Sequence, residues 1–175
     1  MKENEIFSYK NYKKKNEHKI IQLFKKTFKR NIDLKKWTWI FKKNPNGSSK
    51  IALVFYKKKL IGQCASIKIF FNLKSKKKVF YRIQNFMVDK NYRLNKIATY
   101  SLKFLTSRIV KNNNYIITFP NDNSIKTFLR NNFKRLFYIY TYEMFLNKRH
   151  ETERKMIVKN SSKVKFKNED MILIN

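Results

Sequence analysis

Gln84 to Ala98, QNFMVDKNYRLNKIA, and Phe119 to Phe133, FPNDNSIKTFLRNNF, decide how this chain is read. The first begins as a short apolar strand, passes through Tyr92-Arg93 and restarts as a helix. Ile97, Tyr100, Ser101, Phe104, Leu105, Arg108 and Ile109 place one stripe on that helix at helical spacing. The second follows a buried-type strand, Tyr115 to Phe119, breaks at Pro120-Asn121 and restarts as a helix at Ser124. Both are switches from strand to helix. Such a switch brings the unbonded amides and positive dipole end of a helix to the end of a sheet, where they suit an anion. Asn132, just past the second helix, is the usual second choice after Gly where a helix ends at positive φ.

Upstream, residues 5 to 12 alternate as a first strand. Asn16-Glu17 then opens an amphipathic helix carrying Ile20, Ile21, Leu23, Phe24, Thr27 and Phe28. Leu34 to Phe41 predicts a second helix, stopped by Asn44-Pro45-Asn46-Gly47. Lys50 to Tyr56 and Leu60 to Asn72 are strands joined by a lysine turn, and Val79 to Val88 is a third. Leu136 to Leu146 reads as one long alternating strand. Residues 147–175 hold short apolar patches that suit an edge strand or the opening of an incomplete second unit. We therefore expect one domain over 1–146 and a C-terminal extension over 147–175.

Composition sets limits on function. The chain has 175 residues with 42 Lys and Arg against 11 Asp and Glu, yet 42% is hydrophobic, enough for a proper core. One cysteine, Cys64, forms no internal disulfide, and with two distant histidines, His18 and His150, no metal centre is expected. No run of 18 apolar residues predicts a membrane helix, and MKENEIF lacks the apolar stretch of a secretion signal, so the expected compartment is the cytoplasm. The lysines are spread over all elements, as A+T-rich codons would spread them. Nucleic acid is accordingly expected to bind weakly and without sequence preference.

The two quoted stretches resemble the acetyl-CoA site of the GNAT acyltransferase superfamily. Val88, Tyr92, Arg93 and Ala98 keep in register that family's pattern V-x-P-x-Y-R followed by R-G-x-G-x-A. Lys90 replaces the usual Pro, Leu94 and Lys96 replace two glycines, and Asn132 stands where a Gly usually precedes the aromatic Phe133. The resemblance implies an α/β (α+β) fold, a mixed and mostly antiparallel central sheet flanked by helices, in the order β-α-α-β-β-β-α-β-α-β. It implies acetyl-CoA as cosubstrate and a primary amine of a small-molecule acceptor as partner, with no metal. It places the pyrophosphate on Arg93, Leu94, Asn95, Lys96, Ile97 and Ala98, and the pantetheine arm against the amides of Met87 and Val88, with Asn121 and Ser124 at the end of the fifth strand.

Trp37 and Trp39 fall where the family builds its acceptor wall, although core packing is the commoner fate of such aromatics. The family's usual tyrosine acid is matched here by Phe128, which donates no proton. Tyr138 is a candidate for a displaced acid, and Glu143 or Asp89 for a base, each competing with a plain structural role. Two other readings stay open at this point: a GNAT fold that binds without turnover, and a basic nucleic-acid-binding protein.

Overall fold

The computed structural model describes residues 7–73, 75–93, 96–111, 114–143 and 165–174; of residue 73 and of 137–143 and 165–174 it describes the backbone. Strands β1 (Phe7–Asn11), β2 (Lys50–Tyr56), β3 (Lys59–Leu73), β4 (Lys76–Val88), β5 (Tyr115–Thr118), β6 (Lys134–Glu143) and β7 (Lys165–Ile174) form one sheet in the order β1-β2-β3-β4-β5-β7-β6. All neighbours are antiparallel except β4 and β5. The helices are α1 (Glu17–Phe28), α2 (Leu34–Phe41), α3 (Ile97–Val110) and α4 (Asp122–Leu129). The element order is the expected one with one strand added. That strand, β7, corrects the edge-strand expectation for 147–175: it lies between β5 and β6, inside the sheet. Residues 144–164 lie outside the described residues.

Period-two alternation sorts the strands' side chains onto two faces. Ile51, Leu53, Ala65, Ile67 and Met87 meet Ile20 and Leu23 of α1 and Trp37 and Phe41 of α2. Ala52, Cys64, Tyr81 and Ile83 meet Leu102, Leu105 and Ile109 of α3 and Phe128 of α4. A smaller cluster of Val54, Ile61, Val88 and Ile97 seats the first turn of α3 on the sheet. Gly62 lies beneath it: a Cβ there would be tight against Val54 Cβ of β2 at 3.3 Å and in ordinary contact with Ile97 Cγ2 at 3.5 Å. Asp33 caps α2 by accepting from the Lys36 amide at 2.6 Å. Asn132 stands at φ 64°, as its place after α4 requires.

Candidate active site

Two departures from a regular sheet make the site. β4 and β5 pair only over Phe80–Ile83 and Tyr115–Thr118, after which β4 continues to Val88 paired with β3 alone, while the segment after β5 turns at Pro120. The strands therefore part in a V. Just beyond the last paired row, Asn85 takes φ 51°, and the β3–β4 register slips so that Asn85 and Phe86 oppose Cys64 alone. This is a β-bulge, a device that bends a strand and re-aims the residues after it. Asn tolerates the left-handed conformation because its short polar side chain supports it locally. An Asn amid an apolar strand was the available sequence signal.

The V opens a cleft of about 610 Å³. Its lining includes Met87, Val88, Arg93, Ala98, Asn121 and Ser124 of the expected set. Ladder parity distinguishes Met87 from Val88. The Asp89 amide donates to Ile61 O at 2.8 Å, so Asp89 and Met87 direct their backbone groups at β3, and Val88 directs its own away from β3. Of the two, Val88 therefore turns its amide to the side where the cleft lies, whereas Met87, expected to do the same, turns its amide to β3. Val88 O accepts from Arg93 Nε at 3.3 Å, which ties the guanidinium to the cleft wall.

Arg93 is the one charged side chain among the described residues lining the cleft, in a chain of net charge +31. Beside it α3 begins at Lys96, whose φ of 52° is left-handed. The first helical bond runs from the Tyr100 amide to Lys96 O at 3.1 Å, so the amides of Ile97, Ala98 and Thr99 have no partner within the helix. Lys96 and Ile97 do not line the cleft themselves: Lys96 is exposed, and the Ile97 side chain is fully buried under the sheet. Leu94 and Asn95 lie outside the described residues. Across the V, Ser124 Oγ donates to Asn121 Oδ1 at 2.9 Å, which fixes the carboxamide and leaves its NH₂ for a ligand. Asn121 is the N-cap residue of α4, but its side chain caps no backbone amide.

Several expected residues are not brought here. Trp37 is fully buried between Tyr12 and Phe41, and Trp39 is 63% exposed; neither lines the cleft, so the acceptor wall assigned to them is corrected. Their helix turns Trp37 to the sheet, and a residue two positions on must face another way. From α1 the cleft takes Thr27 and Phe28 instead, and Thr27 Oγ1 is buried with no hydrogen-bond partner. Spacing alone had placed Thr27 within an apolar stripe. Tyr138 and Glu143 lie on β6, in register with Asp170 and Lys165 of β7, and their side chains are outside what is described. Phe128 forms part of the cleft floor, with Phe86 at 5.3 Å and Phe133 at 5.0 Å between ring centres. Cys64 is fully buried, and burial pushes its thiol well above the ordinary value, so it is inert.

Asp89 is also not a base for this cleft. Its carboxylate is 1% exposed, receives Lys26 Nζ at 2.7 Å and accepts the Asn91 amide at 3.2 Å at the head of the short 3-10 turn Lys90–Tyr92. Burial alone would raise its pKa; the Lys26 hydrogen bond, the Asn91 amide and the charges of Lys26 and Lys59 outweigh that and hold it below the ordinary carboxylate value. A depressed carboxylate stabilises the fold above its unfolded-state pKa and loses that contribution as pH falls through its folded-state pKa. Asp89→Asn is therefore expected to cost about 1 kcal/mol at neutral pH, Lys26 being partly exposed, and nothing in strong acid. Urea unfolding of both proteins at about pH 7 and about pH 2 checks this; a gap that persists in acid would refute it.

By sequence, neither a protein-family model nor a curated protein matches this chain. Its structure does have counterparts. A conserved Enterococcus faecalis V583 protein described as a probable N-acyltransferase superposes with a TM-score of 0.67 at 11% identity, over 78% of this chain and 34% of its own. The chain thus spans about a third of that protein's length. Arabidopsis thaliana Naa50, solved in complex with a bisubstrate analogue, gives a TM-score of 0.61 at 15% identity, over 97% of this chain and 98% of its own. The Escherichia coli ribosomal-protein-S18-alanine N-acetyltransferase gives 0.65 at 7% identity, over 97% and 93%. The parted strands, the helix that starts beside them and these superpositions agree: the chain is a GNAT-fold protein.

Proposed function

We propose that this protein transfers an acetyl group from acetyl-CoA to a primary amine. The observation that carries the reading is the Val88 amide, turned into the V between β4 and β5 within reach of one arginine and one helix start. The pyrophosphate is held by Arg93 and by the free amides of Ile97, Ala98 and Thr99, helped by the α3 dipole. The pantetheine arm runs along the edge of β4 that β5 leaves free after Ile83, as an added strand would. The Val88 N–H then donates to the thioester carbonyl oxygen, where negative charge grows as the amine attacks and the tetrahedral intermediate forms. Asn121 NH₂ binds the arm from the opposite wall. The acceptor enters from the α1 side, where Thr27 Oγ1 is the polar group without a partner.

The neighbours support this chemistry at the level of class: Naa50 was solved with the bisubstrate analogue CoA-Ac-MVNAL, and the Escherichia coli protein is named as a ribosomal-protein-S18-alanine N-acetyltransferase. A second reading has its own observation. Phe128 stands on the cleft floor where the family's acid would stand, and among the described residues no carboxylate lines the cleft. A GNAT fold that binds the cofactor but does not turn it over matches that chemistry. Acetyl-CoA is expected to raise the melting temperature, because only the folded state binds it. Release of free CoA thiol in the presence of an amine panel then separates the two readings. A melting temperature unmoved by saturating acetyl-CoA and longer acyl-CoAs would sink both.

A further inference from the structure

From Leu34 to Val88 the sequence contains no Asp or Glu. The structure gathers part of that stretch into one projecting element. β2 leaves β3 at the row Lys50↔Ser66, and β5 joins β4 only from Phe80 onward. The rows Phe70↔Val79, Phe71↔Lys78, Asn72↔Lys77 and Leu73↔Lys76 therefore pair with nothing but each other, a two-stranded ribbon reaching about 14 Å past the sheet at ~3.4 Å per row. On one face Phe71 is 43% exposed, opposite Lys78, with Lys76 in the next same-face row. On the other, Lys77 Nζ and Lys68 Nζ lie 4.1 Å and 5.1 Å from the Phe70 ring centre.

We propose that this β3–β4 ribbon is a binding arm for single-stranded nucleic acid. Lysines along an open strand edge also discourage edge-to-edge pairing, and that need alone would account for the charge. It does not account for Phe71, whose ring packs edge-on against Phe80 at 4.9 Å between ring centres yet leaves the residue 43% exposed on the face that carries Lys76 and Lys78. A polyanion relieves the mutual repulsion of Lys76, Lys77 and Lys78, and a base stacked on Phe71 covers the ring; one ligand class has both a phosphate chain and flat faces. Lys76 and Lys78, alternate residues on one face, stand about 6.8 Å apart along the strand, a separation that neighbouring phosphates of an extended strand match. The arm lies at the Ser66 end of β3, whereas Val88 of the cleft pairs at the Gly62 end, so binding here is independent of acetyl transfer.

The test is fluorescence anisotropy with a labelled oligouridylate of about a dozen nucleotides, measured over a range of salt concentrations. Lys76→Glu/Lys77→Glu/Lys78→Glu is compared with Lys57→Glu/Lys58→Glu/Lys90→Glu, an equal charge change at the opposite end of the same strands. The arm variant is expected to bind at least about tenfold more weakly than the control variant and to flatten the log–log salt slope by about 2. Phe71→Ala, a single change at a partly exposed ring of the ribbon, is expected to weaken binding about five- to tenfold with the slope unchanged. Circular dichroism and melting curves verify that each variant is folded. Equal losses in the two triple variants would assign binding to net charge and overturn the proposal. So would absent binding, tighter binding of a duplex of the same length, or arm-dependent capture by phosphatidylserine vesicles that oligouridylate does not compete away.

Discussion

Trp37→Ala is expected to lower the unfolding free energy by about 3 to 5 kcal/mol, as large-to-small changes of buried aromatics do. Trp37 is fully buried, with ring centres of Tyr12 at 5.6 Å and Phe41 at 5.4 Å, in the cluster that fastens α1 and α2 to the sheet. Its Nε1 has no hydrogen-bond partner, so the residue already bears a polar cost. Trp37→Phe is accordingly expected to cost much less, about 1 to 2 kcal/mol, because it removes that group while keeping most of the ring. Trp39→Ala, at an exposed position, should change stability by less than about 0.5 kcal/mol. Urea unfolding ranks the three. A Trp37→Ala protein of undiminished stability that binds the amine acceptor poorly would instead restore the acceptor-wall role that its position in the sequence suggested.

Arg93→Ala carries the largest expected effect on ligand binding. As the one charged side chain among the described cleft-lining residues, Arg93 should contribute the strength of a charge-assisted hydrogen bond, about 1.5 to 3 kcal/mol. That corresponds to roughly ten- to 150-fold in the Kd for acetyl-CoA. Lys96→Gly should behave differently. Lys96 holds a left-handed conformation outside the cleft lining, so glycine relieves backbone strain there, raising stability by about 0.5 to 1 kcal/mol while changing affinity about twofold or less. Calorimetry at two salt concentrations measures both. Unaltered affinity in Arg93→Ala would remove the β4–α3 loop from the cofactor site, and with it the acetyl-transfer reading.

The features legible in the sequence are those that local forces set. α2 and β2 have the bounds that their caps, turns and apolar runs indicate. Val88, Arg93, Ala98, Asn121 and Ser124 were readable because strand-to-helix motifs carry them in fixed register. β4 begins at Lys76, three residues before its apolar run, because the two-stranded ribbon there has neither a core to face nor a β5 neighbour; its lysines read as a turn. Met87 and Val88 were inseparable until the pairing with β3 showed which way each amide points. The Lys26–Asp89 bond joins residues 63 apart in sequence, beyond any local pattern. β7 was hidden for a related reason: a strand that lies between two others is specified by its neighbours as much as by its own short apolar run.

The place of β7 has a consequence for how the molecule is made. β5 and β6 are separated in the chain only by α4 and its turns, yet they never touch as strands, because β7 lies between them. While the polypeptide is being synthesised, β2 to β4 can assemble through their two hairpins with β1 added across α1 and α2, and β5 can join β4. From then until residues 165–174 have been produced, the outer edge of β5 has no strand to receive and β6 has no ladder to enter. The nascent protein thus passes through a stage with a bare sheet edge, the geometry at which chains add to one another. The pairing that ends this stage joins Ile116 to Ile174, so the sheet closes only after residues 165–174 have been made.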